Sequence, residues 1–387
     1  MKNFVFQIPT TILFGQNTLA AIGAEAVKLG TRALLVYGGG SIKKNGVYQA
    51  ITHSLAQAGV SVTEHGGVRP NPLLSHVREG IDLGRREQVD LVIGVGGGSA
   101  MDSAKAIAAG IPAPFDVWRI FTGAKKLSRA LPVVTVPTLA ATGSEMNGNM
   151  VVTNDETRLK VGYGNKLLYP VCSILDPETT LSVPMDHMAF GAVDALSHVL
   201  EFYFSAEVQD APVQDRFMEG LAAVIMESCV EICEDNTAYG PRADLMWAAA
   251  MALSGFIGAG LGRVGFPMHL LAHALSGLYD VPHGAALAVI MRGWLTWQEK
   301  NLASRIARLG HRVFNLDADH PGPARATIDA LTGWLRRTGC PVTLGELGIP
   351  VEQLDAIADN ALALGQYWRG RGRLSRADCL AALGHCL

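Results

Sequence analysis

The chain has 387 residues, enough for two ordinary domains, and its 49% hydrophobic and 17% charged content allows a large buried core. A net charge of −3 leaves no basic footprint for nucleic acid. The apolar runs are broken by Gly, Arg or His before they could span a bilayer, and MKNFVFQIPTTILFG lacks the apolar core and cleavage site of a secretory signal, so a cytoplasmic protein is expected.

In chain order, the first half alternates short apolar runs with helical stretches. Strands are predicted at 32–37, 60–63, 90–95 and 131–136, and helices at 46–58, 75–86 and 101–109. Strands that are nearly all apolar imply a parallel sheet covered on both faces. Beyond about residue 186 the strand signal vanishes. Helices are predicted at 188–204, 213–233, 242–259, 269–278, 285–300, 303–314, 323–337 and 351–362. Leu175-Asp-Pro177 and Val183-Pro184 break both periods. The expected fold is therefore an α/β domain over 1–183 followed by an all-α domain over 184–387. Arg369, Arg371, Arg373 and Arg376 read as a solvated face. Six scattered cysteines form no Cys-x-x-Cys pair, and Cys229 with Cys233 reads as helix packing, so reduced thiols are expected.

Two stretches of the helical half carry chemistry: Gly191-Ala-Val-Asp194-Ala-Leu-Ser-His198 and His269-Leu-Leu-Ala-His273. Residues four apart share a helix face, so each stretch offers a pair of ligands. His283 follows at a Pro-His-Gly, where a helix is expected to have ended. A single such pair usually means a solvated or core-edge contact. Two pairs with apolar flanks point to a metal, because a buried ionisable group needs a partner. One carboxylate with two or three imidazoles suits zinc or iron(II). Spacing alone does not choose between His269 and His273.

Gly94-Val-Gly96-Gly97-Gly98-Ser99 follows a predicted strand and opens a predicted helix. Such a turn exposes backbone amides at a helix N-terminus, which suits a phosphate. It is not a full dinucleotide fingerprint, since Ser99 replaces the third glycine. Ser99 is also a natural N-cap with Asp102 in the first turn; alternatively, Asp102 meets a polar edge of a cofactor. The first strand ends in Tyr37-Gly-Gly39-Gly-Ser41 with Lys43 and Lys44 behind it and no carboxylate. NAD-preferring enzymes often place a carboxylate there against the ribose 2′-hydroxyl. Room at Gly39, a hydroxyl at Ser41 and a nearby lysine favour NADP(H) over NAD(H). Thr138 to Asn147 reads as a loop at the carboxyl edge of the sheet, where ligands bind in open α/β folds. Lys160, taken alone, reads as a surface lysine.

Gly96-Gly-Gly-Ser-Ala-Met-Asp102, Pro137-Thr-Leu-Ala-Ala-Thr-Gly-Ser-Glu145, Asp176-Pro177, Asp194 to His198 and His269 to Gly284 occur together and in this order. In this the chain resembles the iron-dependent (group III) alcohol dehydrogenases, within them the NADPH-dependent aldehyde reductase and butanol dehydrogenase branch. The resemblance implies an N-terminal Rossmann-like domain, a helical C-terminal domain and an active site in the cleft between them. It implies metal ligation by Asp194, His198, His269 and His283, with iron favoured and zinc chemically suited. His273 then lies near substrate and nicotinamide. Asn71, Asp102, Thr138, Thr142, Asn147 and Lys160 match cofactor-side positions, and Gly39 falls where NAD-preferring relatives carry Asp. The resemblance also implies a homodimer and a small alcohol or aldehyde as substrate. Ala140, Thr179 and Pro267 depart from the pattern. Two rivals remain: a lyase resembling dehydroquinate synthase, which needs more cations than Arg263 and Arg292 near the metal, and a non-catalytic binding protein.

Overall fold

The computed structural model describes residues 1–317, 319–368 and 374–387. The chain forms two compact units, Gln7–Val183 and Pro184–Leu387, the latter joined by Met1–Phe6. The first six residues belong with the helical unit because Lys2 N donates to Gly260 O at 2.8 Å and its ammonium pairs with Glu207.

The first unit runs β1 (Thr11–Phe14), α1 (Ile22–Ala26), β2 (Arg32–Tyr37), α2 (Val47–Gln57), β3 (Ser61–His65), α3 (Leu74–Arg86), β4 (Leu91–Gly96), α4 (Gly98–Gly110), α5 (Trp118–Phe121), β5 (Val133–Pro137), β6 (Asn149–Asn154), β7 (Leu159–Gly164) and β8 (Cys172–Leu175). Six strands form one parallel sheet in the order β1-β8-β5-β4-β2-β3. Its centre is β2, β4 and β5, nearly all apolar and, apart from Arg32 at the start of β2, buried on both faces as their composition requires. The four predicted strands are present. The sheet adds β1 and β8, which a local reading misses. Each is only four residues long, and they are defined by pairing: β1 with β8, Thr11 to Cys172, and β8 with β5, Val134 to Cys172. The antiparallel ribbon of β6 and β7 is also new.

β2 and β4 are neighbours, with Tyr37 paired to Val95. From β2 the chain moves outward to β3, and from β4 it moves the other way to β5. Their carboxyl ends therefore flank the topological switch point, where ligands bind in open α/β sheets. Both glycine turns sit there.

The second unit comprises α6 (Met185–Ser205), α7 (Pro212–Glu234), α8 (Tyr239–Ala252), α9 (Pro267–Tyr279), α10 (His283–Gln298), α11 (Ala303–Val313), α12 (Pro323–Arg337), α13 (Leu354–Gly365) and α14 (Arg376–Gly384). α6 is apolar on nearly every face and is buried from Gly191 to Phe204. The predicted helix 242–259 stops at Ala252 because Gly255 and Gly260 take positive φ, 86° and 76°. α9 begins at Pro267, which suits the first helical position, and ends where Asp280 turns left-handed with φ 53°. α10 then starts at His283. A Cβ at Gly284 would stand 2.1 Å from Phe190 O, so only glycine lets α10 approach α6 this closely. α11 is pinned to α6 and α7 by Arg305 and Arg308. Arg305 pairs with Asp215 at 2.6 Å and stacks on Tyr203, while Arg308 pairs with Glu219 at 2.9 Å. Arg376 pairs with Asp359 at 2.8 Å; Arg369, Arg371 and Arg373 lie outside the described residues. Among the described residues no helix is long and apolar enough to cross a membrane.

Candidate metal centre and dinucleotide site

Three helices of the second unit bring donors to one carboxylate. Asp194 Oδ1, on α6, lies 3.8 Å from His198 Nε2 on the same helix, 3.7 Å from His269 Nε2 on α9 and 3.8 Å from His283 Nε2 at the start of α10. Asp194, His198 and His269 each place a donor atom within 4.8 Å of the others, and all three are buried. These gaps exceed a hydrogen bond, yet two metal bonds of about 2 Å can bridge them. His269 Nε2 is buried with no hydrogen-bond partner among the described residues. Leaving such an atom unsatisfied costs about 1–3 kcal/mol, and a cation in front of it removes that cost. The donor set therefore fits a divalent ion.

The two imidazoles differ in protonation. Burial holds His198 neutral down to about 4, against the pull of Asp194, and a neutral imidazole is the form that ligates. For His269 burial also opposes the charge, but Asp194 and Glu201 together outweigh it and raise the imidazole to about 9. Glu201 is a residue that sequence reasoning missed. It is fully buried, one turn beyond His198 on α6. Its Oε1 accepts from His269 Nδ1 at 3.1 Å and from His269 N at 2.8 Å. The first bond fixes the proton on Nδ1 and turns Nε2 toward Asp194. The second satisfies an amide in the first turn of α9, whose own N-cap, Phe266, makes no side-chain bond. A glutamate seven residues after Asp194 on an apolar helix was the available signal. His273 is buried one turn beyond His269, its ring 5.1 Å from that of His283 and 5.3 Å from that of Trp368.

In the first unit, Gly96 ends β4 with φ 148°, and Gly97, not Ser99, occupies the cap position of α4. Ser99 lies inside the helix, which starts two residues earlier than its capping preference suggested. A Cβ at Gly98 would meet Thr142 at 2.3 Å, so this glycine is needed for the 138–147 loop to close over the turn. Thr138 N donates to Gly96 O at 2.9 Å, joining the two. Asp102 is buried; one oxygen accepts from Ser144 Oγ at 2.7 Å and the other from Val151 N at 2.9 Å. The unpredicted ribbon changes the reading of Lys160. It is buried on β7 and donates to Asn71 Oδ1 at 2.8 Å, bringing together two predicted cofactor-side residues 89 positions apart. Lys105 was missed as well. It is fully buried and donates to Ser144 O at 2.6 Å and to Asn147 O and Asn149 O at 2.8 Å, holding the loop that carries Thr142 and Asn147. Gly39 and Ser41 lie in the turn after β2, where a Cβ at Gly39 would meet no atom of the described residues within 4 Å.

The iron-containing alcohol dehydrogenase model matches residues 9–177, and the model of the C-terminal part of the Fe-containing alcohol dehydrogenase family matches residues 188–370. The chain belongs to the iron-containing alcohol dehydrogenase family. It is 39% identical over 99% of both chains to a probable NADH-dependent butanol dehydrogenase of Bacillus subtilis. It is 35% identical over 92% of both chains to the NADPH-dependent aldehyde reductase YqhD of Escherichia coli. The crystal structure of NADH-dependent butanol dehydrogenase A from Thermotoga maritima superposes with a TM-score of 0.97 at 39% identity, covering 100% of this chain and 99% of that one. As a member of this family the chain is an oxidoreductase. These relatives are dehydrogenases and a reductase, so the lyase reading is not carried further.

Proposed function

We propose that this protein transfers a hydride between NADP(H) and a small alcohol/aldehyde pair, working chiefly as an aldehyde reductase that depends on one divalent metal ion. The observation that carries it is the meeting of three imidazole nitrogens, each within 3.8 Å of Asp194 Oδ1. Asp194, His198, His269 and His283 are the proposed ligands, with Fe(II) favoured and Zn(II) suited to the same donors. When bound, the ion polarises an aldehyde oxygen or lowers the pKa of an alcohol, and the nicotinamide carries the hydride.

The chain's own residues supply the rest. Glu201 holds the His269 proton on Nδ1. His273 is assigned to the substrate proton, because it is buried on α9 one turn beyond His269, its ring 5.1 Å from that of His283. Gly96, Gly97, Gly98 and Ser99 are assigned to the phosphates of the dinucleotide, and Asn71, Asp102, Thr138, Thr142, Asn147 and Lys160 to its remaining polar edge. Open space at Gly39, with Ser41 behind it, supports room for a 2′-phosphate.

We place the protein in the cytoplasm, in keeping with six unpaired cysteines, and as a homodimer. Exposed Phe4, Val5, Phe6, Val213 and Phe217 of the helical unit support self-association. The test is metal analysis of protein purified without added metal, followed by an aldehyde panel with NADH and with NADPH. The reading predicts about one ion per chain, chelator-sensitive turnover and use of NADPH. Dinucleotide binding without turnover after metal reconstitution would leave only a binding protein.

A further inference from the structure

The β2 end carries no carboxylate, yet the next strand delivers one. Glu64 is on β3, in register with Leu35 of β2. Its Oε2 accepts from Lys43 Nζ at 2.7 Å and from the Tyr37 hydroxyl at 2.6 Å, and its Oε1 accepts from the Tyr48 hydroxyl at 2.6 Å. Lys43 Nζ also stands over both tyrosine rings, 5.2 Å and 4.7 Å from their centroids. Hydrogen bonds from Lys43, Tyr37 and Tyr48 hold the Glu64 carboxyl down to about 2, and the Glu64 bond pushes the Lys43 ammonium up, so both groups stay charged near neutrality. Tyr37 closes β2, and Gly38 to Gly40 follow it into the switch-point turn.

We propose that Glu64, by holding the Lys43 ammonium, sets how strongly this enzyme discriminates NADP(H) from NAD(H); the inference rests on reading the β2 and β4 turns as the dinucleotide site. A 2′-phosphate is recognised by a cation, and a 2′-hydroxyl is not. Lys43 is a cation behind the turn, but its charge is matched by Glu64. Two tyrosine hydroxyls restrain that carboxylate, so it does not simply swing away when a phosphate arrives. The carboxylate also repels the phosphate directly. Both effects fall on NADP(H) and leave NAD(H) almost untouched. The wild-type pair thus narrows a preference that the open Gly39 turn would otherwise give to the phosphorylated cofactor.

The experiment measures the dissociation constants of NADPH and NADH by fluorescence titration, and kcat/KM for each with one aldehyde. Wild type is compared with Glu64→Gln, Lys43→Gln and the double variant. Glutamine keeps an acceptor for one of the two tyrosines while removing the charge. In Glu64→Gln the NADPH-to-NADH affinity ratio should rise about tenfold, through tighter NADPH binding, while the NADH constants change less than about twofold. The gain should vanish in the double variant and shrink as salt is added. If both dinucleotides bind and the ratio stays within twofold, or if both weaken together as for a merely structural strand clasp, this inference is overturned and the proposed function stands. If neither dinucleotide binds wild type, the reading of the turns falls and takes the inference with it.

Discussion

Replacing Glu201 tests the metal centre without touching a donor. Its Oε1 accepts both the Nδ1–H and the backbone N–H of His269. Glu201→Leu removes the single acceptor of both bonds at a fully buried position. The stranded amide should cost about 1–3 kcal/mol of unfolding free energy. The freed imidazole loses its fixed tautomer, and loss of such an outer partner lowers metal affinity about 10- to 100-fold. That corresponds to about 1.4–2.8 kcal/mol of binding. Glu201→Gln keeps an oxygen where both bonds are made and loses only the charge, so it should fall between wild type and Glu201→Leu in affinity with near wild-type stability. Competition with a chelating dye gives the affinity, and thermal melts of the metal-free proteins give the stability. A folded Glu201→Leu protein that holds metal as tightly as wild type would refute the argument that His269 is oriented from α6.

Three further outcomes follow from the same geometry. His269→Ala should lose the ion and nearly all turnover, whereas His273→Ala should retain the ion and lose much of the rate; a metal-free His273→Ala protein would reverse that assignment. In the metal-free protein His269 titrates near 9 and His198 near 4. At pH 7.5 an incoming ion must displace the His269 proton, so about one proton should be released per ion. Apparent affinity should then fall about tenfold per pH unit below 9 and level off above it, with His198 contributing nothing until the pH nears 4. Calorimetry in buffers of different ionisation enthalpy checks this, and uptake without proton release contradicts it. Gly39→Asp, at a position where a Cβ meets no atom of the described residues within 4 Å, should fold normally and shift the kcat/KM ratio toward NADH. An unchanged preference would remove Gly39 from the cofactor site.

Local pattern in the chain was enough for the alternation of β2, β4 and β5 with their helices, for the change to an all-helical half, and for singling out the two helical stretches with candidate ligands four residues apart. Those features depend on period and composition, which neighbouring residues carry. Spacing could not choose between His269 and His273, because both are buried on α9; the structure adds that His269 Nε2 stands 3.7 Å from Asp194 Oδ1 and its Nδ1 meets Glu201, contacts that depend on how α9 crosses α6. The strands β1 and β8, the burial of Lys160 against Asn71, the Glu201 bond to His269 and the Glu64 clasp on Lys43 were likewise decided by tertiary structure. Each joins groups that are distant in sequence or on different elements. Their partners are chosen by packing and by the need to satisfy a buried or charged group, neither of which leaves a local periodic trace.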